Sequence, residues 1–232
     1  MANTHSINLV GTSSQTLSKG DTPTLDFGTV DFTIEYWVKC ASTSDTKNFL
    51  VNKWLNGGNR HGYTLGLTGD GYAQFALING NDDTTIRAIG STDLCDDTWY
   101  HIAGVRSGNN LYVYVNGIQV GNNTGVDNYN VNTSASFIIG ARITGEGGYF
   151  TGKVDEVRAW RIARTTQEIA DNYEIELTGS EDNLEGYWKL NNSLLDETAN
   201  DNDLTNNNAA TFSTDIPFGA PVAKARSQGY IF

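Results

Sequence analysis

Three prolines, one methionine and two cysteines are all that the 232 residues hold of those types, and 15 Lys plus Arg face 27 Asp plus Glu. Each shortage excludes something. Cys40 and Cys95 are too few and too far apart for a tetrahedral zinc site without help from the three histidines. They are compatible with one disulfide or with two unpaired buried thiols. A formal charge of -12 and a pI near 4.5 would repel phosphate backbones, so nucleic acid is a poor partner. No apolar run approaches the roughly 20 residues that cross a bilayer, so no membrane insertion is expected. The opening Met1-Ala2-Asn3-Thr4-His5 lacks the basic start and apolar stretch of a signal peptide, so an exported chain would be trimmed or would use another route.

Catalytic signatures are missing too. There is no G-x-S-x-G elbow, H-E-x-x-H zinc helix, P-loop or dinucleotide fingerprint, and Gly145-Glu146-Gly147-Gly148 follows a strand pattern without opening a helix. His5, His61 and His101 have no recognisable triad partners, and His101 reads as a packed strand residue. The acid pairs, Asp82-Asp83, Asp96-Asp97, Asp155-Glu156, Glu181-Asp182 and Asp196-Glu197, are adjacent in sequence, so on strands their side chains would point to opposite faces.

What is abundant favours β structure: 25 glycines and many Asn, Asp and Thr, with 38% hydrophobic residues and 11% aromatics to fill a core between two sheets. Apolar residues alternate at Phe32, Ile34, Tyr36 and Val38, at Tyr63, Leu65 and Leu67, at Phe75 and Leu77, and at Leu111, Val113 and Val115, while Phe137, Ile138 and Ile139 run together. Turn signals separate them, and Asn116-Gly117 predicts a tight hairpin with a primed turn. Thr165-Thr166-Gln167-Glu168 reads as a capping box opening a short helix over 166–174. Residues 1–218 read as one domain and 219–232 as a tail or closing edge strand. Trp37, Trp99, Trp160 and Trp188 are assigned to the core.

Four segments, in order, resemble the laminin-G-like and pentraxin-like domains of the concanavalin A-like lectin/glucanase superfamily: DFTIEYWVKC, DDTWYHIAGVRSGNNLYVYVNGIQV, FIIGARITGEGGYFTGKVDEVRAWRIARTTQEI and LEGYWKLNNSLLDETANDNDLT. The resemblance covers most of residues 7–218. It implies an all-β antiparallel sandwich, a jelly roll, with the short helix after the closing core strand. It also implies a secreted or cell-surface, non-catalytic module that recognises carbohydrate through rim loops and has a glycan or a cell-surface protein as partner. Glucanase relatives need Glu-x-Asp-x-(x)-Glu on one strand, a string absent here, which disfavours a glycoside hydrolase or polysaccharide lyase. Pentraxin-like relatives hold paired Ca²⁺ with several acids after the "I-G" strand; the stretch from Gly140 to Glu146 supplies one.

Rim loops are the expected binding elements. The loop 52–61 carries Trp54, Asn56, Asn59, Arg60 and His61, types that stack on a sugar ring and fork to its hydroxyls. The loop 142–150 offers Arg142, Glu146 and Tyr149, and the acidic turn Asn79 to Thr85 could chelate a cation. Asp155, set between Val154 and Val157, is expected to be structural, with one structural Ca²⁺ as the alternative. A protein-interaction or adhesin domain on a cell or virion surface is the competing function. Sequons at Asn122, Asn132 and Asn191 matter only on a eukaryotic secretory route.

Overall fold

A computed structural model describes residues 3–42, 50–55, 60–79, 84–141 and 148–219. In chain order its strands are β1 (Ser6–Leu9), β2 (Thr16–Lys19), β3 (Phe32–Lys39), β4 (Val51–Trp54), β5 (Gly62–Leu67), β6 (Tyr72–Asn79), β7 (Thr84–Asp93) and β8 (Trp99–Ser107). They continue with β9 (Asn110–Val115), β10 (Ile118–Thr124), β11 (Phe137–Ile139), β12 (Gly152–Trp160), β13 (Leu184–Trp188), β14 (Thr205–Asn207) and β15 (Thr211–Ser213). One helix, α1 (Thr166–Asn172), follows β12.

Two antiparallel sheets stack. The eight-stranded sheet runs β10-β9-β8-β3-β12-β1-β15, with β13 sharing the flank of β12 beside β1; the seven-stranded sheet runs β14-β2-β11-β4-β5-β6-β7. The expected all-β sandwich with one helix is therefore observed. Period-two alternation explains which side faces in. Ile34, Tyr36 and Val38 of β3 share one hydrophobic core with Tyr63, Leu65, Phe75, Leu77 and Phe137 of the other sheet. Phe27 stacks on Phe32 with centroids 4.6 Å apart, and Phe137 on Trp188 at 5.1 Å. The buried tyrosines keep their hydroxyls bonded: Tyr36 donates to the Leu65 carbonyl and Tyr63 to that of Leu25, each at 3.0 Å. The sheets approach so closely at Gly104 that a Cβ there would lie 2.4 Å from the Phe75 ring.

Local chemistry sets several boundaries. Asn116 and Gly117 take φ of 47° and 78°, the primed turn their sequence calls for between β9 and β10. The capping box forms as read: Glu168 N donates to Thr165 Oγ1 at 3.2 Å and Thr165 N to Glu168 Oε2 at 2.7 Å. Ile169 then plants α1 on Ala103, Val105 and Tyr114, on the outer side of the eight-stranded sheet. Of the four tryptophans assigned to the core, Trp37, Trp160 and Trp188 are buried. Trp99 is only half-buried, and its Nε1 donates to Asp215 Oδ1 at 2.9 Å near the surface. Its position at the first residue of β8 explains this, because no strand-interior neighbour precedes it.

One strand departs from simple alternation. A bulge in β12 shifts register between Asp155 and Arg158, with Glu156 at φ 51°. Val154 and Val157 both reach the core, and Asp155 and Glu156 both lie on the side away from it. The expectation that these two acids point to opposite faces is thereby corrected. Cys40 and Cys95, left open as bridge or free thiols, form a disulfide with Cα atoms 4.5 Å apart.

Candidate functional site

The segment expected to be a loop over 52–61 begins as a strand. Val51–Trp54 is β4, pairing Asn52 with Thr64 on β5 and with Ile138 on β11. Lys53 turns inward and is fully buried, its ammonium bonded to Asp21 and Asp26 at 2.7 Å and to the Thr133 carbonyl. Trp54 turns outward with Asn52, yet only 5% of it is exposed, so it does not offer the open rim position assigned to it. The strand pairing that continues to Trp54 is the reason. Arg60 and His61 are half-buried just before β5, where Leu55 N donates to the His61 carbonyl at 3.0 Å. Asn56 and Asn59 lie outside the described residues, as do Arg142, Glu146 and residues 80–83 of the acidic turn. Tyr149 is half-buried and bridges Ala141.

The described residues that flank the two predicted loops stand apart. Gly140 N donates to the Leu50 carbonyl, so the Ala141–Tyr149 bridge stands beside the start of β4. Trp54 ends the same strand, roughly 10 Å further along at about 3.3 Å per residue. They belong to opposite ends of the seven-stranded sheet.

Between them, the sheet's outer face carries a set of side chains that loop-centred reasoning passed over. Asn52, Trp54, Thr64, Gln74, Ala76, Ile78 and Ile138 are buried but stand outside the inter-sheet core, as alternation requires. Asn52 and Thr64 are 1% and 0% exposed. Asn52 Nδ2 donates to the Ala141 carbonyl at 2.6 Å. Asn52 Oδ1 and Thr64 Oγ1 have no hydrogen-bond partner among the described residues. An acceptor and a hydroxyl thus sit on cross-strand neighbours, with an indole two residues along the same face. The signal in sequence was the outward phase of V-N-K-W and Y-T-L, polar and aromatic at every second position.

On the opposite sheet the bulged β12 builds a sealed ionic cluster. Arg158 Nη2 donates to Glu156 Oε2 at 2.9 Å and Nη1 lies 3.6 Å from Glu35 Oε1. Tyr187 donates to Glu156 Oε2 at 2.6 Å, Trp160 Nε1 to Glu35 Oε1 at 3.0 Å, and Arg164 reaches Glu35 at 3.3 Å. Burial opposes ionisation of Glu35, yet the His101 contact together with Arg158 and Arg164 drives its pKa far below the usual range. Burial lowers the His101 pKa despite Glu35, so the imidazole is neutral at pH 7. Burial and the Glu156 charge hold the Asp155 carboxyl well above its ordinary value. Two carboxylates do converge on Arg158, but the Asn172 and Ile175 carbonyls close over the guanidinium. Glu35 and Glu156 are 1% exposed, so no water or sugar reaches them as a glycosidase would require.

Calcium does not fit Asp155. Its Oδ2 accepts from Asn3 Nδ2 at 2.7 Å and its Oδ1 from Glu156 N at 3.0 Å, and burial favours its neutral form. Calcium needs six to eight oxygens, several of them charged. No group of three or more His, Cys, Asp or Glu that could hold a metal occurs among the described residues. A separate cleft of about 230 Å³ opens where β7 and β10 part, lined by Ala73, Leu94, Tyr100, Val115, Asn116 and Val120 among others.

Comparison with known proteins agrees with this architecture. Residues 12–170 match a laminin-G family profile of the concanavalin A-like lectin/glucanases superfamily, and the chain belongs to that family. A Bacteroides ovatus protein proposed to bind carbohydrate superposes with a TM-score of 0.70 at 21% identity, over 96% of this chain and 62% of its own. The chain thus spans less than two thirds of that protein. The heptameric SAP-like pentraxin of Limulus polyphemus gives 0.60 at 14% identity, over 93% of this chain and 97% of its own. The binding domain of Paraclostridial Mosquitocidal Protein 1 gives 0.54 at 16%, over 68% and 40%. Comparison with curated proteins finds no sequence match. At these identities the structural likenesses establish the fold.

Proposed function

We propose that this chain is a non-catalytic binding module for carbohydrate, and that the outer face of the seven-stranded sheet is where the glycan sits. The observation that carries the reading is the unpartnered pair Asn52 Oδ1 and Thr64 Oγ1 beside Trp54. Leaving a buried polar atom unpaired costs about 1–3 kcal/mol. A sugar hydroxyl that donates to Asn52 Oδ1, with a neighbour that accepts from Thr64 Oγ1, recovers that free energy. An apolar ligand of the same size does not, and this difference sets the selectivity for hydroxyl-rich ligands. Trp54 supplies an aromatic face for the C–H side of the ring. Because the pair is shielded from water, binding couples to uncovering of the face, and association is slower than for an open rim site. A proposed binding function in the Bacteroides ovatus protein of the same fold is consistent with this reading. A secreted or cell-surface setting belongs to the same proposal and fits the Cys40–Cys95 disulfide.

The test is a glycan panel read by thermal shift and calorimetry, since a ligand of the folded state raises its melting temperature by mass action. A glycan that stabilises the native protein and loses affinity on Thr64→Val or Trp54→Ala supports the assignment. A glycan whose affinity ignores both substitutions places recognition elsewhere, and binding to an unglycosylated protein partner with no glycan hit favours the interaction-domain alternative.

A further inference from the structure

The cleft of about 230 Å³ at the edges of β7 and β10 has a local cause, a bulge in β7. Tyr72 pairs with Asp93 and Gln74 with Ile89, so Gly90, Ser91 and Thr92 stand opposite the single residue Ala73. Before the bulge the edges of the two sheets are pressed together. A Cβ on Gly121 would lie 2.3 Å from the Ile89 carbonyl oxygen, and Asn123 Nδ2 donates to the Arg87 carbonyl at 2.8 Å. Beyond it they separate and the cleft opens. The far end is fixed, because Leu94 N donates to the Gly71 carbonyl at 3.1 Å and the next residue, Cys95, is bridged to Cys40.

The lining selects the kind of ligand. Ala73 and Leu94 belong to the inter-sheet core, Tyr100, Val115 and Val120 pack against it, and Ile118 stands at the mouth, 68% exposed. No charged side chain is among the lining residues, and the acids that border them in the chain, Asp93 and Asp96, are exposed. An anion would meet these two acids, and a cation would give up its water for apolar walls. Asn116 supplies the specific polar contact: its Oδ1 accepts from His101 N at 2.8 Å, while its Nδ2 has no partner among the described residues. An apolar cavity of about 150 Å³ holds a benzene ring, so this one admits a ring with a short substituent. We infer that the cleft is a second binding site, for a neutral, ring-sized apolar molecule carrying one hydrogen-bond acceptor, such as a ketone or ether oxygen. It lies at the sheet edges and not on the proposed glycan face, so the two assignments stand or fall separately.

Titration of the full chain with acetophenone, followed by amide NMR shifts, tests the inference. Toluene serves as the probe without an acceptor, and benzoate and benzylammonium as the charged ones. Saturable shifts at Ser91, Asn116 and Val120 with a dissociation constant of about 0.1–1 mM, and weaker binding of the other three probes, support the site. Asn116→Asp keeps the acceptor for His101 N and suits the φ of 47°, but puts an oxygen in place of the donor. It should weaken acetophenone about tenfold and change toluene less than about twofold. Val120→Phe fills the cleft and should abolish binding of both, and Ile118→Ser, at an exposed position that folding does not depend on, should weaken both severalfold. Thermal melts accompany the first two variants; if either loses its fold, Ile118→Ser locates the site and the preference for acetophenone over toluene on the native chain reports the acceptor. Absence of saturable shifts in the millimolar range, charged probes or toluene binding as tightly as acetophenone, or affinity indifferent to the substitutions overturns the inference.

Discussion

Thr64→Val isolates one atom of the outer face. Valine keeps the β-branched shape and suits the centre of β5, so the change replaces a hydroxyl by a methyl and little else. In the native chain that hydroxyl is fully buried and without a partner among the described residues. The desolvation penalty of an unsatisfied buried polar group is about 1–3 kcal/mol. Part of it persists as imperfect packing of the new methyl, so the expected gain is about 1 kcal/mol of stability. For a chain of this size that is a rise of roughly 2–4 °C in melting temperature. Thermal melts and urea titrations of the oxidised protein, compared at equal slope, measure it. The same variant should lose on the order of tenfold in affinity for the bound glycan, about 1.4 kcal/mol. More stable yet weaker in binding is the signature of a group kept for a ligand. A loss of 1 kcal/mol or more in stability would mean that the hydroxyl already has a partner, and the reasoning about the face would fail.

Further outcomes follow from the opposite sheet and the bridge. Burial raises the Asp155 pKa, so the native state binds a proton that the unfolded chain releases, and stability from this group is present below the ordinary Asp range and lost as pH rises through the folded value. Asp155→Asn should therefore be more stabilising at pH 8 than at pH 5 in denaturant titrations; an equal effect at both would show Asp155 charged throughout. Arg158→Met leaves Glu35 and Glu156 buried without their shared cation and should cost about 3–5 kcal/mol, whereas a loss under 1 kcal/mol would mean that the cluster is wet. Replacing Cys40 and Cys95 together by alanine opens a loop with sequence separation 55 and should cost about 4 kcal/mol on the chain-entropy account. A melting temperature unchanged by the double substitution would refute the bridge.

The strands were legible because their inward residues alternate without interruption, from Phe32 to Val38 and from Tyr63 to Leu67. The Asn116–Gly117 hairpin and the Thr165–Glu168 capping box were legible because a few side chains determine each locally. What lay on the outer faces was not. Glu35 sits at an outward position of β3, where alternation predicts solvent, and α1 with the segment after it buries that position instead. Alternation gives a side chain's direction but not what covers it. The β12 bulge was equally hidden, since nothing in Val154-Asp155-Glu156-Val157 demands a left-handed Glu156 until Tyr187 and Arg158 are placed around it. The proposed glycan face was illegible for the complementary reason. Sugar-binding residue types stand out in loops, while Asn52 and Thr64 read as ordinary polar positions of strands.

Strand β1 is held on both sides, by β12 and by β15, with Ser6 opposite Ser213 in register. The first and last described strands of the sandwich are therefore zipped together, and this sheet cannot be completed until the segment around Ser213 has left the ribosome. Long-range pairing of this kind makes for slow assembly. It also means that Ser6 and Ser213, near the two ends of the described fold, lie within a few ångström of each other. A host polypeptide could receive the unit as a single lateral graft, its own backbone departing and returning at nearly one spot, and a permuted version joined across Ser6 and Ser213 should fold with new ends opened in an exposed turn.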